Sequence, residues 1–204
     1  CIAVDEKGNV VDGDSIIYIL AKRLKDKKNL NRDTVAVTVM SNSGFFKSLA
    51  EIGIKSDITP VGDRFVYECM QRNDYDIGGE QSGHIIIKKY ATTGDGILTA
   101  LMIAEEMCDS KSSLSKLASP VRRYPQHQIS IKVKDKSAAI SDEGVLLKKC
   151  DAEKIISGKG RVVLRKSGTE PVIRVMVECE DMGLCEELCE SIAEAIRKGG
   201  HSVE

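Results

Sequence analysis

The sequence contains no tryptophan, and aromatic residues make up only 4% of its 204 residues. Opposite charges nearly cancel, because 30 lysines and arginines stand against 31 aspartates and glutamates, for a formal net charge of −1. A chain so close to neutrality has no strong overall field to attract nucleic acid or a membrane surface. No apolar run approaches the roughly 18 residues that a membrane-spanning helix needs. We therefore expect neither nucleic acid nor a membrane among its partners.

The seven cysteines lack the spacing of a disulfide framework or a zinc site, since no Cys-x-x-Cys pair occurs. Cys185 and Cys189 are one helical turn apart, but no second pair of ligands accompanies them. We expect reduced thiols and a cytoplasmic protein. Because the chain begins at Cys1 inside an apolar run rather than at methionine, we also expect a fragment of a longer polypeptide.

Strand and helix patterns alternate through residues 15–118. A hairpin is predicted around residues 5–9, and a helix capped by Asp14 or Ser15 is predicted to run to about Lys25. The β-branched run at 34–40 predicts a strand, and Ser43 is the predicted cap of the next helix. This alternation is typical of a layered α/β domain.

Residues 120–125 predict a linker, because two prolines bracket Val-Arg-Arg-Tyr. Beyond it, a strand pattern, a helix pattern, two strand patterns and a final helix follow in that order. Such an order predicts helices on one side of an antiparallel sheet. The predicted fold class is α/β, with a mixed-sheet α/β/α domain followed by a small α+β domain.

The segment 165–171, Arg-Lys-Ser-Gly-Thr-Glu-Pro, lies between two strand patterns and has the composition of a phosphate-binding loop. Its hydroxyls can donate hydrogen bonds, and the glycine between them lets the backbone approach an anion. Arginines on both sides can add charge-assisted bonds. The candidate residues are Arg165, Ser167, Gly168, Thr169 and Arg174. The alternative is a polar hairpin loop with ordinary surface arginines.

A second polar loop, at 77–84, combines three glycines with Glu80, Ser82 and His84. A carboxylate beside a hydroxyl is suited to adjacent sugar hydroxyls, and the histidine can donate or carry charge. The alternative is a glycine-rich hairpin turn whose polar side chains are solvated.

Three further segments have simpler interpretations. Gly62 and Asp63 form a substrate-loop candidate, although Asp63 is also a natural helix cap. Asp95 is interpreted as a cap rather than as part of an anion site. Residues 12–14, Asp-Gly-Asp, resemble the start of a metal loop, but Ile16 stands where another carboxylate is needed, so they are interpreted as a turn and cap.

Four segments together resemble the α-D-phosphohexomutase superfamily, in order and spacing across nearly the whole chain: 61–64, 78–84, 92–96 and 165–171. The run Glu-Gln-Ser-Gly-His at 80–84 is similar to phosphoglucosamine mutases, since mannose- and glucose-specific relatives more often have methionine in place of Gln81. One departure is Lys166, where the family usually has proline. It adds a cation and frees φ, so we expect altered loop rigidity rather than lost recognition.

The family has four domains. The resemblance implies that residues 1–14 end domain 2 as a hairpin remnant, and that 15–119 form domain 3 with the sugar-binding loop. Residues 120–125 are then the linker, and 126–204 form the C-terminal domain 4 with the phosphate-binding loop. The catalytic phosphoserine of domain 1 and the Mg²⁺ loop of domain 2 fall outside this chain. No catalytic residue and no metal ligand is therefore expected within it.

The implied parent enzyme is an isomerase that interconverts glucosamine 6-phosphate and glucosamine 1-phosphate on the route to UDP-N-acetylglucosamine and peptidoglycan. Its phosphoserine donates to the sugar, which reorients and returns its other phosphate. By resemblance, the loop at 77–84, here called the carboxylate loop, contacts the ring hydroxyls, and the loop at 165–171 holds the non-reacting phosphate. The implied partners are a phosphorylated hexosamine and domains 1 and 2 of the same polypeptide, with Mg²⁺ as cofactor of the full-length enzyme.

Two alternatives stay open. In one, the chain is part of a phosphomannomutase/phosphoglucomutase. In the other, it is a non-catalytic module that binds phosphosugars. If the chain is instead part of a phosphoglucosamine mutase, the isolated 204 residues are expected to be inactive.

Overall fold

Strands and helices alternate along the first 118 residues of the computed structural model, which describes residues 1–203. The chain divides into two compact units, Cys1–Arg123 and the part from Tyr124 onward. The first unit contains β1 Ala3–Val4, β2 Val10–Val11, α1 Gly13–Asp26, β3 Thr34–Thr38, α2 Ser43–Glu51, β4 Lys55–Thr59, α3 Asp63–Asn73, β5 Ile77–Gly79, β6 Ile85–Ile87, α4 Gly96–Ser110 and α5 Leu114–Ala118.

The main sheet of this unit has the strand order β4-β3-β5-β6. β3 is parallel to both β4 and β5, and β6 returns antiparallel to β5. Helices cover both faces of the sheet, because successive side chains of β3 pack against helices on opposite faces. Val35 and Val37 pack with α1, α2 and α4, whereas Ala36 faces α3. The predicted mixed-sheet α/β/α layering is confirmed.

The predicted caps of α1 and α2 are wrong by one or more residues. Asp12, not Asp14 or Ser15, caps α1, because its side chain accepts the Ser15 N–H. Asp14 instead accepts the N–H of Asn42, 28 residues away. Asn42, not Ser43, caps α2 by accepting from Gly44. A carboxylate or amide one residue before the helix reaches its first free N–H groups, which is the usual geometry of a cap.

The second unit contains β7 Gln126–Lys132, α6 Lys136–Ser141, α7 Glu143–Ile155, β8 Gly160–Lys166, β9 Val172–Cys179 and α8 Met182–Lys198. Its strands form an antiparallel sheet in the order β7-β9-β8. The three helices share one apolar core with one face of the sheet, as predicted. The short helices α5 and α6 were not predicted, because five or six residues are too few to show a helical period.

All seven cysteines lie within the described residues and are free. Burial raises the pKa of Cys185 to about 12 and that of Cys189 to about 11, so both stay protonated thiols in the core at neutral pH. Across residues 1–203, no helix combines the length and apolar character needed to cross a membrane.

Candidate functional site

The polar loops of the first unit meet at one edge of its sheet. β3, β4 and β5 run in the same direction, so the segments after Thr38, Thr59 and Gly79 all leave from the carboxyl edge. β6 is antiparallel, and the residue before it, His84, therefore lies at this edge too. Ligands of open α/β sheets bind outside the carboxyl ends of the strands.

Glu80 links two of these loops. Its Oε1 accepts the backbone N–H of Gly62 at 3.1 Å. Gly62 has a φ of 130°, which favours glycine, and it rather than Asp63 occupies the cap position of α3. The expected cap at Asp63 is thus wrong, because α3 already includes that residue. Oδ1 of Asp63 accepts the N–H of Arg64, and its Oδ2 lies beside His84.

His84 gathers a third loop. Its Nε2 lies 3.2 Å from the backbone nitrogen of Gly94 and 3.3 Å from Oδ2 of Asp63. The backbone N–H of Gly94 is the donor toward this ring nitrogen, and the carboxylate of Asp63 lies on the same side of the ring. A Cβ at position 94 would lie 2.6 Å from Nε2, so a larger residue there would require the imidazole of His84 to move. Asp95 caps α4, as predicted.

The first turn of α1 supports the carboxylate loop from behind. The N–H of Gly13 donates to the carbonyl of Gln81 at 3.0 Å. A Cβ on Gly13 would lie 2.1 Å from the carbonyl oxygen of Glu80 and 2.7 Å from the nitrogen of Gly83. The loop can take this position only because residue 13 is glycine.

A cleft of about 520 Å³ opens beside this loop. It is lined by Glu80, Ser82, Asp12, Val61 and Gln81, and also by three residues that the sequence analysis did not consider: Thr38, Met40 and Arg123. Arg123 lies 3.6 Å from Oδ2 of Asp12. Thr38 ends β3 and Met40 follows it, so their position at the carboxyl end of a strand could have indicated them, whereas Arg123 has no such signal. A larger hollow of about 840 Å³, lined among others by Arg23 and Tyr90, contains none of the predicted residues.

In the second unit, two arginines stand side by side. Arg165 of β8 is directly opposite Arg174 of β9. Ile173 and Val175 flank Arg174 and pack into the helix-side core, so both arginines lie on the other face of the sheet. Ser130 of β7 is opposite Arg174 on its other side, and the sequence had not singled it out.

These two guanidiniums are not equivalent. Burial lowers the pKa of Arg165, and the charge of Arg174 lowers it further. Arg174 donates from Nη2 to Glu170 at 2.8 Å, and its buried Nε has no hydrogen-bond partner among the described residues. The pair thus concentrates positive charge, and the Nε–H of Arg174 is an unused hydrogen-bond donor.

The loop between β8 and β9 is closed by the N–H of Ser167, which donates to the carbonyl of Val172 at 3.0 Å. Ser167 is only 4% exposed, and its Oγ accepts the N–H of Glu170 at 3.3 Å. Thr169 is exposed, and a Cβ at Gly168 would meet no atom within 4 Å. The loop is therefore open on the side of Gly168 and Thr169.

The predicted residues thus form two clusters, one in each unit. Glu80, Ser82, His84, Gly62 and Asp63 lie together in the first. The remaining five belong to the loop and arginine pair of the second, and their roles stay predictions.

No cluster within residues 1–203 has three or more side chains able to hold a metal ion. Asp12 is used as a helix cap and Asp14 accepts a backbone N–H. The residues present do not fit a Mg²⁺ site.

Family comparisons agree with this architecture. The profile described as phosphoglucomutase/phosphomannomutase, alpha/beta/alpha domain III, matches residues 12–124. The profile for the C-terminal domain of the same family matches residues 129–195.

Curated relatives are similar over almost the entire chain. A phosphoglucosamine mutase of Anoxybacillus flavithermus is 50% identical over 197 residues, which are 97% of this chain and 44% of the relative. That of Bacillus subtilis is 47% identical over 96% of this chain, again 44% of the relative. The chain thus spans less than half the length of the curated relatives it matches.

Solved structures share the fold at lower identity. Aspergillus fumigatus N-acetylphosphoglucosamine mutase, in complex with GlcNAc-6P and magnesium, matches with a TM-score of 0.78 and 18% identity, over 98% of this chain and 46% of that one. A phosphoglucomutase/phosphomannomutase family protein of Burkholderia thailandensis matches with a TM-score of 0.79 and 16% identity, over 98% and 44%.

Proposed function

The chain belongs to the phosphoglucomutase/phosphomannomutase family, and from this premise we propose that it is the substrate-recognition part of a phosphoglucosamine mutase. The proposed reaction interconverts glucosamine 6-phosphate and glucosamine 1-phosphate in the cytoplasm, for UDP-N-acetylglucosamine and peptidoglycan synthesis. The name shared by relatives about half identical to this chain supports the choice of sugar. In this scheme residues 15–119 and 126–204 act as the third and fourth family domains.

The observation that carries the proposal is the Arg165–Arg174 pair. Like charges directly opposite each other destabilise a sheet, and burial of one of them adds to the cost. A bound phosphate would reverse both effects, because its oxygens can accept from two guanidiniums at once. In the proposed site, Arg165 and the Ser167-Gly168-Thr169 turn hold the non-reacting phosphate, and Arg174 assists.

The cluster of the first unit suits the sugar. Glu80 uses one carboxylate oxygen to bond Gly62, and no group within residues 1–203 bonds the other. We assign the second oxygen to ring hydroxyls, together with Ser82, which is exposed, and His84. Gly62 and Asp63 set the position of Glu80 and His84. A phosphate held away from the reacting centre fixes the orientation of the substrate, and its binding energy then serves the reaction.

The phosphoryl donor and the metal belong, in this proposal, to other parts of the polypeptide. The fungal structure contains magnesium, but residues 1–203 of this chain include no ligand set for it. The family's first two domains would supply both the phosphoryl donor and the metal site.

We accordingly expect no mutase turnover from the purified 204-residue chain. A coupled assay with glucosamine 6-phosphate should give the rate of the buffer alone. The full-length enzyme, assayed in parallel on glucosamine and mannose phosphates, should prefer glucosamine. Turnover by the 204-residue chain would contradict the proposal that catalysis needs the other domains. A preference for mannose phosphate would identify the full-length enzyme as a phosphomannomutase instead.

Replacing Glu80 with glutamine should weaken sugar recognition and spare phosphate recognition. The amide can still accept from Gly62, but it no longer offers a charged acceptor to hydroxyls, which is worth about 1.5–3 kcal/mol. We expect KM for glucosamine 6-phosphate to rise by roughly tenfold or more in the full-length enzyme. Inhibition by inorganic phosphate should not change. E68Q, on the exposed face of α3, is the matched control, and equal KM values for the two variants would remove Glu80 from the site.

A further inference from the structure

The N-terminus of α6 holds the loop at 167–170 in place. Nζ of Lys136 donates to the carbonyl of Ser167 at 2.8 Å and to that of Glu170 at 3.2 Å. These two carbonyls lie at opposite ends of the turn. One ammonium group therefore ties both ends together, across 31 and 34 residues of sequence.

The loop bonds back to the same helix. Nζ of Lys166 donates to Oγ of Ser137 at 2.9 Å. Asp135 caps the same end of α6 by accepting the N–H groups of Ser137 and Ala138. The two lysines thus form a reciprocal brace between the loop and α6.

The brace matters because the loop has few bonds of its own. Besides the Ser167–Val172 closure, its internal contact is the 3.3 Å bond from the Glu170 N–H to Ser167 Oγ. A flexible loop loses affinity, since ordering its residues opposes binding. An ammonium on the loop carbonyls restricts the turn and also adds a positive charge close to Ser167.

We propose that Lys136 is a positioning residue for phosphate recognition, acting through the carbonyls of Ser167 and Glu170. The inference rests on the proposed function of this loop. It concerns a side chain that does not touch the phosphate and that sequence reasoning had not singled out.

The test compares K136M, K136R and K148M in the 204-residue chain. Methionine keeps the apolar stem but not the donors, and arginine keeps the charge and can reach carbonyls. Lys148 is exposed on α7 and has no ion pair in the described residues, so K148M controls for the loss of one charge. The readout is the NMR chemical-shift change of the loop amides on titration with inorganic phosphate and with glucosamine 6-phosphate.

We expect K136M to bind both ligands about tenfold more weakly, K148M to bind like the unmodified chain, and K136R to recover most of the loss. Hydrogen exchange at the Glu170 N–H should become about tenfold faster in K136M alone. Thermal unfolding of K136M and K148M should coincide, which separates a local effect from a loss of fold.

Two outcomes distinguish failure of this inference from failure of the proposed function. If R165A/S167A abolishes the titration but K136M binds normally, Lys136 has no positioning role and the phosphate site stands. If neither ligand shifts the loop amides of the unmodified chain, the phosphate site itself is wrong. In that case an unchanged exchange rate at Glu170 in K136M overturns the brace as well.

Discussion

Alanine at both Arg165 and Ser167 is expected to lower kcat/KM of the full-length enzyme for glucosamine 6-phosphate by roughly 10²–10⁴-fold. Each charge-assisted hydrogen bond contributes about 1.5–3 kcal/mol, and two such bonds to phosphate are lost. Arg174 remains, but Glu170 already engages one end of it. The measurement is steady-state kinetics, supported by phosphate titration of the 204-residue chain.

The same double variant should not unfold the second unit. Removing Arg165 relieves repulsion from Arg174, and the loop closure from the Ser167 N–H to Val172 is a backbone bond that alanine keeps. R197A is the matched control, because Arg197 lies on the exposed side of α8 and pairs with Glu190. An unchanged KM and kcat in the double variant would refute the phosphate role.

Replacing Gly13 with alanine is expected to displace the carboxylate loop at 77–84. The new Cβ would lie 2.1 Å from the carbonyl oxygen of Glu80 and 2.9 Å from that of Gln81. Both are backbone atoms, so the loop or the first turn of α1 must move by on the order of 1 Å, and overpacking of this kind costs about 1–3 kcal/mol. A misplacement of about 1 Å can reduce catalysis by about 100-fold. We expect G13A to lower the unfolding midpoint and to raise KM or reduce kcat of the full-length enzyme.

Gly96 provides a closely matched control. It is the first residue of α4, as Gly13 is of α1, and each follows a capping aspartate. A Cβ on Gly96 would meet its nearest atoms at 3.7 Å, which is ordinary contact. G96A should therefore be neutral or slightly stabilising, because alanine has the better helix propensity. If G13A and G96A have the same unfolding midpoint, KM and kcat, the close packing of α1 against the carboxylate loop does not contribute to function.

Local patterns predicted most elements because their physical cause is local. The 3.6-residue spacing of Cys185, Leu188, Ile192 and Ile196 placed α8, and all four are buried. The β-branched run in 34–38 placed β3 in the core. Helix starts were less accurate, since Asp12, Asp14 and Ser15 are all plausible caps until long-range bonds decide between them. Asp14 bonds Asn42, a contact that no short window of sequence contains.

The chemistry of the chain can be read from its residues alone: a carboxylate and hydroxyl loop, and an arginine and hydroxyl loop, each between recognisable strands. Which of these groups become neighbours depends on the folded chain. Parallel pairing of β3 with β4 and β5 brings the loops containing Gly62 and Glu80 to one sheet edge. The register of β8 with β9 sets Arg165 opposite Arg174, and the chain path brings Lys136 to a loop 31 residues away. Side-chain chemistry is a property of each residue, whereas neighbours in space depend on register and crossover, and these are set by how the whole core packs.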